Sequence, residues 1–191
     1  MARDDGQPEL NLPVPQARLL GTVGDVMVDT LERQLEAPPD GNDPLVIELT
    51  TLGGGADSGR RAMLAVELAR KRLAPRRLVF LGKTTVYSAG VTLMSGFPRE
   101  DRYLASDAML LIHCRQLDQS LSLSGPLRSV LPQIQGKLQE IETGIELEVK
   151  AFEKLIEGSD VTMDELLEKA LFNWYVPAKE AVERGLVAGI A

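Results

Sequence analysis

One side chain in this sequence can do imidazole chemistry, His113, because the chain holds a single histidine. It ends the apolar run Met109-Leu110-Leu111-Ile112. A serine in a small-residue setting, Tyr87-Ser88-Ala89-Gly90, lies upstream of it, and a triple glycine, Gly53-Gly54-Gly55, follows an earlier apolar run. A serine becomes a useful nucleophile where a base takes its proton. Acyl transfer also needs N–H donors aimed at the developing oxyanion. Ser88 stands where a strand passes into a helix, so the Ala89 N–H has no intrahelical partner and is one donor. The glycine turn supplies another from Gly53 or Gly54, since glycine lets backbone approach a substrate closely. Gly90 fits close packing of the helix on the sheet. Taken singly, each feature has a plainer use: a helix-cap serine, a core histidine, a turn. Their order and company favour chemistry.

Other chemistries lack their residues. Gly-x-Ser-x-Gly fails because Val86 holds its first glycine position. The dinucleotide pattern fails at Ser58, and no Gly-x-x-x-x-Gly-Lys-[Ser/Thr] loop exists. His113 and Cys114 are neighbours on a strand and point to opposite faces, so they do not make a metal pair. The reading is therefore of no metal and no cofactor. The net charge of −7 argues against nucleic acid. The basic clusters Arg60-Arg61 and Arg70–Arg77 read as solvated faces. A single cysteine excludes an intrachain disulfide and suits a reducing compartment. With neither a signal-peptide core nor a membrane-spanning apolar run, the protein is expected to be cytoplasmic.

The elements that would position these residues follow from periodicity. Residues 1–17, with Pro8, Pro13 and Pro15, read as a flexible N-terminal arm, and 18–191 as one domain. Strands are expected at Ala17–Val23, Leu45–Leu49, Arg77–Leu81, Tyr103-Leu104, Ala108–Cys114 and Leu186-Val187. Helices are expected at Gly24–Leu35 with Val26, Val28, Leu31 and Leu35 inward, at Ser58–Leu73 and at Ser88–Gly96. The alternation predicts an α/β layer architecture with buried parallel strands. Ile134, Leu138, Ile141, Ile145, Val149, Phe152 and Ile156 recur at steps of four, three, four, four, three and four. They predict a helix over 132–158, about 40 Å long. Lys137, Gln139, Glu140, Glu142, Glu146, Glu148 and Lys150 lie on its other faces. It reads either as packed along its own sheet or, being too long to bury wholly on a small domain, as projecting toward a partner subunit. A short helix capped by Thr162 and a last helix with Pro177 at its start and Gly185 past its end close the chain.

Together these stretches resemble the proteolytic subunit of the Clp protease family, over about residues 18–190. There a strand ends in Asn-Ser-Pro-Gly-Gly; here Leu49-Thr50-Thr51-Leu52-Gly53-Gly54-Gly55 matches, with Gly59 at the family's later glycine. The family's nucleophile lies in Gly-Gln-Ala-Ala-Ser-Met-Gly-Ala. Ser88-Ala89-Gly90-Val91 matches its second half, after a run from Gly82 that is two residues longer. Arg102-Tyr103-Leu104-Ala105-Ser106-Asp107-Ala108 leads to Ile112-His113 as the family's Arg-Tyr strand leads to its histidine. Phe172-Asn173-Trp174-Tyr175-Val176-Pro177-Ala178-Lys179-Glu180-Ala181, then Gly185-Leu186, matches the last motif.

The resemblance implies a ClpP/crotonase-type spiral of β-β-α units with a protruding handle helix, here 132–158. It implies a serine peptidase acting on unfolded polypeptide in a ring-forming homo-oligomer. Ser88 would be the nucleophile, His113 the base, and Gly53 or Gly54 with Ala89 the oxyanion hole. The third triad member, Asp in the family, is Asn173. An amide can still fix the imidazole tautomer but supplies no charge to the imidazolium. Asp118, Asp160 and Asp164 are spatial alternatives. The stretch from His113 to Asn173 is also longer than the family's, through Arg115–Gly125 and the handle. Residues 1–17 do not resemble the family's axial-loop segment, which argues against docking to an unfoldase ATPase. Two alternatives stand beside the peptidase: a weak or inactive scaffold subunit, motivated by Asn173, and an acyl-CoA enzyme of the crotonase type, for which Asp57 is the one carboxylate near a glycine turn.

Overall fold

The structure is a computed structural model, and it describes residues 12–191. Most of the arm expected at 1–17 therefore lies outside the described residues. The elements run β1 (Ala17–Leu20), α1 (Asp25–Glu36), β2 (Leu45–Thr51), α2 (Ala56–Leu73), β3 (Leu78–Tyr87), α3 (Ala89–Met94), β4 (Arg102–Leu104), β5 (Met109–Ile112), α4 (Leu127–Ile156), α5 (Met163–Ala170), β6 (Trp174–Pro177), α6 (Ala178–Glu183) and β7 (Gly189–Ile190). The sheet runs β1-β2-β3-β4-β7 with every pair parallel, and β5 branches from β3 and pairs β6 antiparallel.

The branch arises inside β3. Phe80–Gly82 pair with β4 and Thr85–Tyr87 with β5. Between them the chain bends at Thr84, whose φ is +34°. On the other edge, Leu49 faces Gly82 but Thr51 faces Val86, so β3 carries two extra residues there. The longer run between Gly82 and Ser88 is thus absorbed as a bulge, which re-aims the end of the strand. Strands buried on both faces explain the runs Leu45-Val46-Ile47 and Leu78-Val79-Phe80, all buried.

Several boundaries and faces differ from expectation. Val23 lies outside β1 and makes an isolated bridge to Gly54. In α1, Met27 is buried and Val26 is 84% exposed, because a real helix advances 100° per residue and Met27, not Val26, joins Leu31 and Leu35 on one side. The last strand forms at Gly189–Ile190, not at Leu186-Val187, which pack into the core.

The long helix is present but begins at Leu127, with Pro132 inside it. Only Glu148, Ala151, Phe152 and Leu155 of its 30 residues are buried. Leu131, Ile134, Leu138, Ile141 and Ile145 are exposed, so α4 is anchored by its last turns and projects beyond α3 and α5, its packing partners. The anchor is polar as well as apolar. Arg102, 2% exposed, donates to the carbonyls of Phe97, Lys154, Leu155 and Leu186. Burial pushes its guanidinium down to about 10. Among the described residues no helix is long and apolar enough to cross a membrane, and no group of His, Cys, Asp and Glu could hold a metal ion.

Candidate active site

Three parallel strands end side by side, and each delivers one part of the site from its carboxyl end, where open α/β sheets bind ligands. After β2 comes the turn Leu52-Gly53-Gly54. After β3 comes Ser88, and after β5 comes His113. Gly54, Ser88, Ala89 and His113 line one cavity of about 300 Å³.

Ser88 sits at φ +55°, ψ −117°, on the sharp turn from β3 into α3. A non-glycine residue there costs about 1–3 kcal/mol and persists only where its surroundings enforce it. The Ser88 N–H is held by the Leu111 carbonyl at 2.8 Å, and its carbonyl accepts from Val91 at 2.9 Å. The result turns the side chain out at the tip, the geometry of a nucleophile elbow built without the flanking glycine motif. Two glycines make room. A Cβ on Gly53, whose φ is +108°, would stand 2.8 Å from Ser88 Cβ. A Cβ on Gly90 would overlap the Thr51 methyl, so α3 could not seat against β2.

The candidate oxyanion donors are not equivalent. The Gly53 N–H already donates to Thr51 Oγ1 at 3.0 Å. The bridge to Val23 uses the Gly53 carbonyl and the Gly55 N–H, and leaves the Gly54 N–H free among the described residues. Ala89, first in α3, has an equally free N–H. Gly54 and Ala89 therefore form the available pair.

His113 and Asn173 flank the ends of paired strands without joining. β5 and β6 pair with Ile112 opposite Trp174, so His113 and Asn173 stand one step beyond the ladder. There the chain turns away: Asn173 is exposed and takes φ +62°, a left-handed conformation that asparagine tolerates well. His113 Nδ1 instead meets the Cys114 carbonyl at 2.7 Å. A carbonyl only accepts, so Nδ1 carries the proton and Nε2 is left as the basic nitrogen. Among the described residues no hydrogen bond joins Ser88 to His113 or His113 to Asn173. The other carboxylates offered by the sequence lie elsewhere: Asp160 pairs with Arg184 at 2.7 Å, Asp57 with Arg115 at 3.0 Å, and Asp118 and Asp164 are exposed.

Sequence reasoning missed Glu148. It was expected on a polar face of the handle, yet it is 9% exposed and lines the cavity. Its Oε2 accepts from the Arg115 N–H. Its position, three after Ile145 and four before Phe152, is an apolar-face spacing, and that was the available signal. Burial and the Glu148 charge push the Cys114 thiol above its usual value. Arg60 also lines the cavity, whereas its neighbour Arg61 pairs with Glu32 and Asp29 on the surface, at 2.6 and 2.9 Å.

No family model matches the chain, and no curated protein does. Among solved structures it is similar to an asparagine-to-aspartate mutant of ClpP1 from Listeria monocytogenes. The match has a TM-score of 0.70, covers 92% of this chain and 90% of that one, and carries 17% sequence identity. What the two share at that identity is architecture: this chain has a ClpP-like fold.

Proposed function

We propose that the protein is a serine endopeptidase that cleaves unfolded polypeptide, working as a homo-oligomer. The observation that carries the reading is the strained backbone at Ser88, which aims the hydroxyl into a cavity shared with the sole imidazole and two free N–H groups. Ser88 Oγ attacks the scissile carbonyl carbon while His113 Nε2 takes its proton. The carbonyl oxygen, now negative, is held by the Gly54 and Ala89 N–H groups. Collapse expels the amine, which takes the proton back from His113, and leaves an acyl ester on Ser88. Water, deprotonated by His113, then releases the acid. The Cys114 carbonyl stands where Asn173 was expected, as acceptor for Nδ1–H. Catalytic hydrogen bonds are often open without substrate, so Ser88 and His113 need only close on binding.

An extended chain fits the surroundings. A groove of about 840 Å³ continues from the cavity, with Leu117 and Leu171 on its wall and Arg115, Leu147 and Glu148 shared with the cavity, its outer edge at Ile141 and Ile145 being left to a second copy. The exposed stripe of α4 is suited to a second copy of this chain. A second reading, an inactive scaffold, draws on the missing bond between His113 and Asn173. Intact mass after treatment with a fluorophosphonate separates the two. One adduct, absent in Ser88→Ala, supports the peptidase; no adduct on the assembled oligomer refutes it.

A further inference from the structure

Glu148 and His113 are joined through a single peptide group. The plane that carries the Cys114 carbonyl also carries the Arg115 N–H. At one end, the carbonyl accepts from His113 Nδ1 at 2.7 Å. At the other, the N–H donates to Glu148 Oε2. Both contacts lie in partly buried surroundings. A hydrogen bond donated to an ionised acceptor polarises the amide that donates it, and the same amide's carbonyl becomes a stronger acceptor.

We propose that Glu148 is a positioning residue for His113, supplying through the Cys114–Arg115 peptide the negative charge that the triad lacks at Asn173. The inference deepens the peptidase reading and assigns the missing acid to the handle helix. The carboxylate never touches the imidazole. It fixes the peptide plane, which fixes the ring with Nε2 free, and it stabilises the imidazolium when Nε2 takes the serine proton.

The other charges facing the ring are few. Arg60 from α2 and Arg115 from the segment after β5 line the same cavity, and Arg115 is paired with Asp57 of α2. Asn173, just before β6, is neutral and turned away, and the turn into α3 presents Ser88. The cysteine side chain is a thiol held protonated. Both arginines oppose a charged imidazole, so among the described residues Glu148 is the one anion on the cavity wall that favours it.

The test uses the single histidine, whose ring gives one set of NMR signals in full-length, assembled protein. Glu148→Gln keeps an oxygen for the Arg115 N–H and removes the charge. Loss of the charge one peptide away is expected to lower the midpoint of the ring titration relative to the unmutated protein. Glu148→Asp, which keeps the charge, is expected to restore most of that shift. An unchanged midpoint in Glu148→Gln overturns the proposal, because a merely structural acceptor would be replaced by the amide. Should Glu148→Gln fail to fold, the unmutated protein still decides: ring ¹⁵N shifts must show the proton on Nδ1, and a proton on Nε2 overturns the proposal. Neither readout needs turnover. A lowered midpoint without fluorophosphonate labelling would keep this inference and sink the peptidase reading, and labelling with an unchanged midpoint would do the reverse.

Discussion

Asn173→Asp is the perturbation that separates two accounts of the histidine. If Asn173 orients His113, the substitution restores a charged triad, and the reverse change in trypsin, a documented case, costs about 10⁴ in turnover. The structure argues for a far smaller effect. Asn173 is exposed and turned away at φ +62°, and His113 Nδ1 is committed to the Cys114 carbonyl. A carboxylate there acts through solvent. An exposed charge pair is worth about 1 kcal/mol or less, roughly fivefold in rate. Aspartate accepts the left-handed conformation nearly as well as asparagine, so stability should move by less than about 0.5 kcal/mol. The assay is the second-order rate of fluorophosphonate labelling, followed by intact mass, with Tm measured beside it. An increase above about a hundredfold at unchanged Tm would refute the assignment of the Cys114 carbonyl and return Asn173 to the triad.

Gly53→Ala places a Cβ 2.8 Å from Ser88 Cβ at a φ of +108°. Labelling should fall by a hundredfold or more, at a stability cost of about 2 kcal/mol, and near-native labelling would show that the elbow does not depend on this contact. Ile141→Glu with Ile145→Glu puts two charges on the exposed stripe of α4. Sedimentation should show a smaller species with the fold intact, and an unchanged oligomer would remove the handle from the interface. Acid should act through Glu165, whose carboxyl the Arg184 guanidinium and Lys169 hold down to about 2. Its folded value lies below its unfolded one, so its contribution is complete above about pH 4.5 and is lost as pH falls toward 2. In Glu165→Gln, the unfolding midpoint in urea should depend less on pH across that window.

The fold was legible because its signals are local. Runs such as Leu78-Val79-Phe80-Leu81 mark strands buried on both faces, and the steps of the α4 stripe mark a helix wherever it packs. Where local signals misled, a tertiary partner decided. Pro132 reads as a helix start, yet α4 continues N-terminal to it from Leu127. Leu186-Val187 reads as a strand by composition, yet the partner edge of β4 is taken by Gly189 and Ile190.

For the candidate site, what the sequence made legible is the juxtaposition of its parts and no more. Ser88, His113 and the glycine turn each follow an apolar strand directly, so a parallel sheet brings their ends together whatever the loops do. The partner of the imidazole is a different kind of fact. Asn173 and His113 occupy the register positions that would join them, and one left-handed residue turns the chain aside. The acceptor that replaces it is a main-chain carbonyl, which has no sequence signature at all. The carboxylate behind that carbonyl comes from a helix that begins beyond a long connection. Glu148 carried one legible hint, an acidic residue at an apolar-face position of α4. A buried charge at such a position is costly unless something holds it. Here the holder is the Arg115 N–H, so the acidic residue on the apolar face of α4 lies where that helix meets the segment that follows His113.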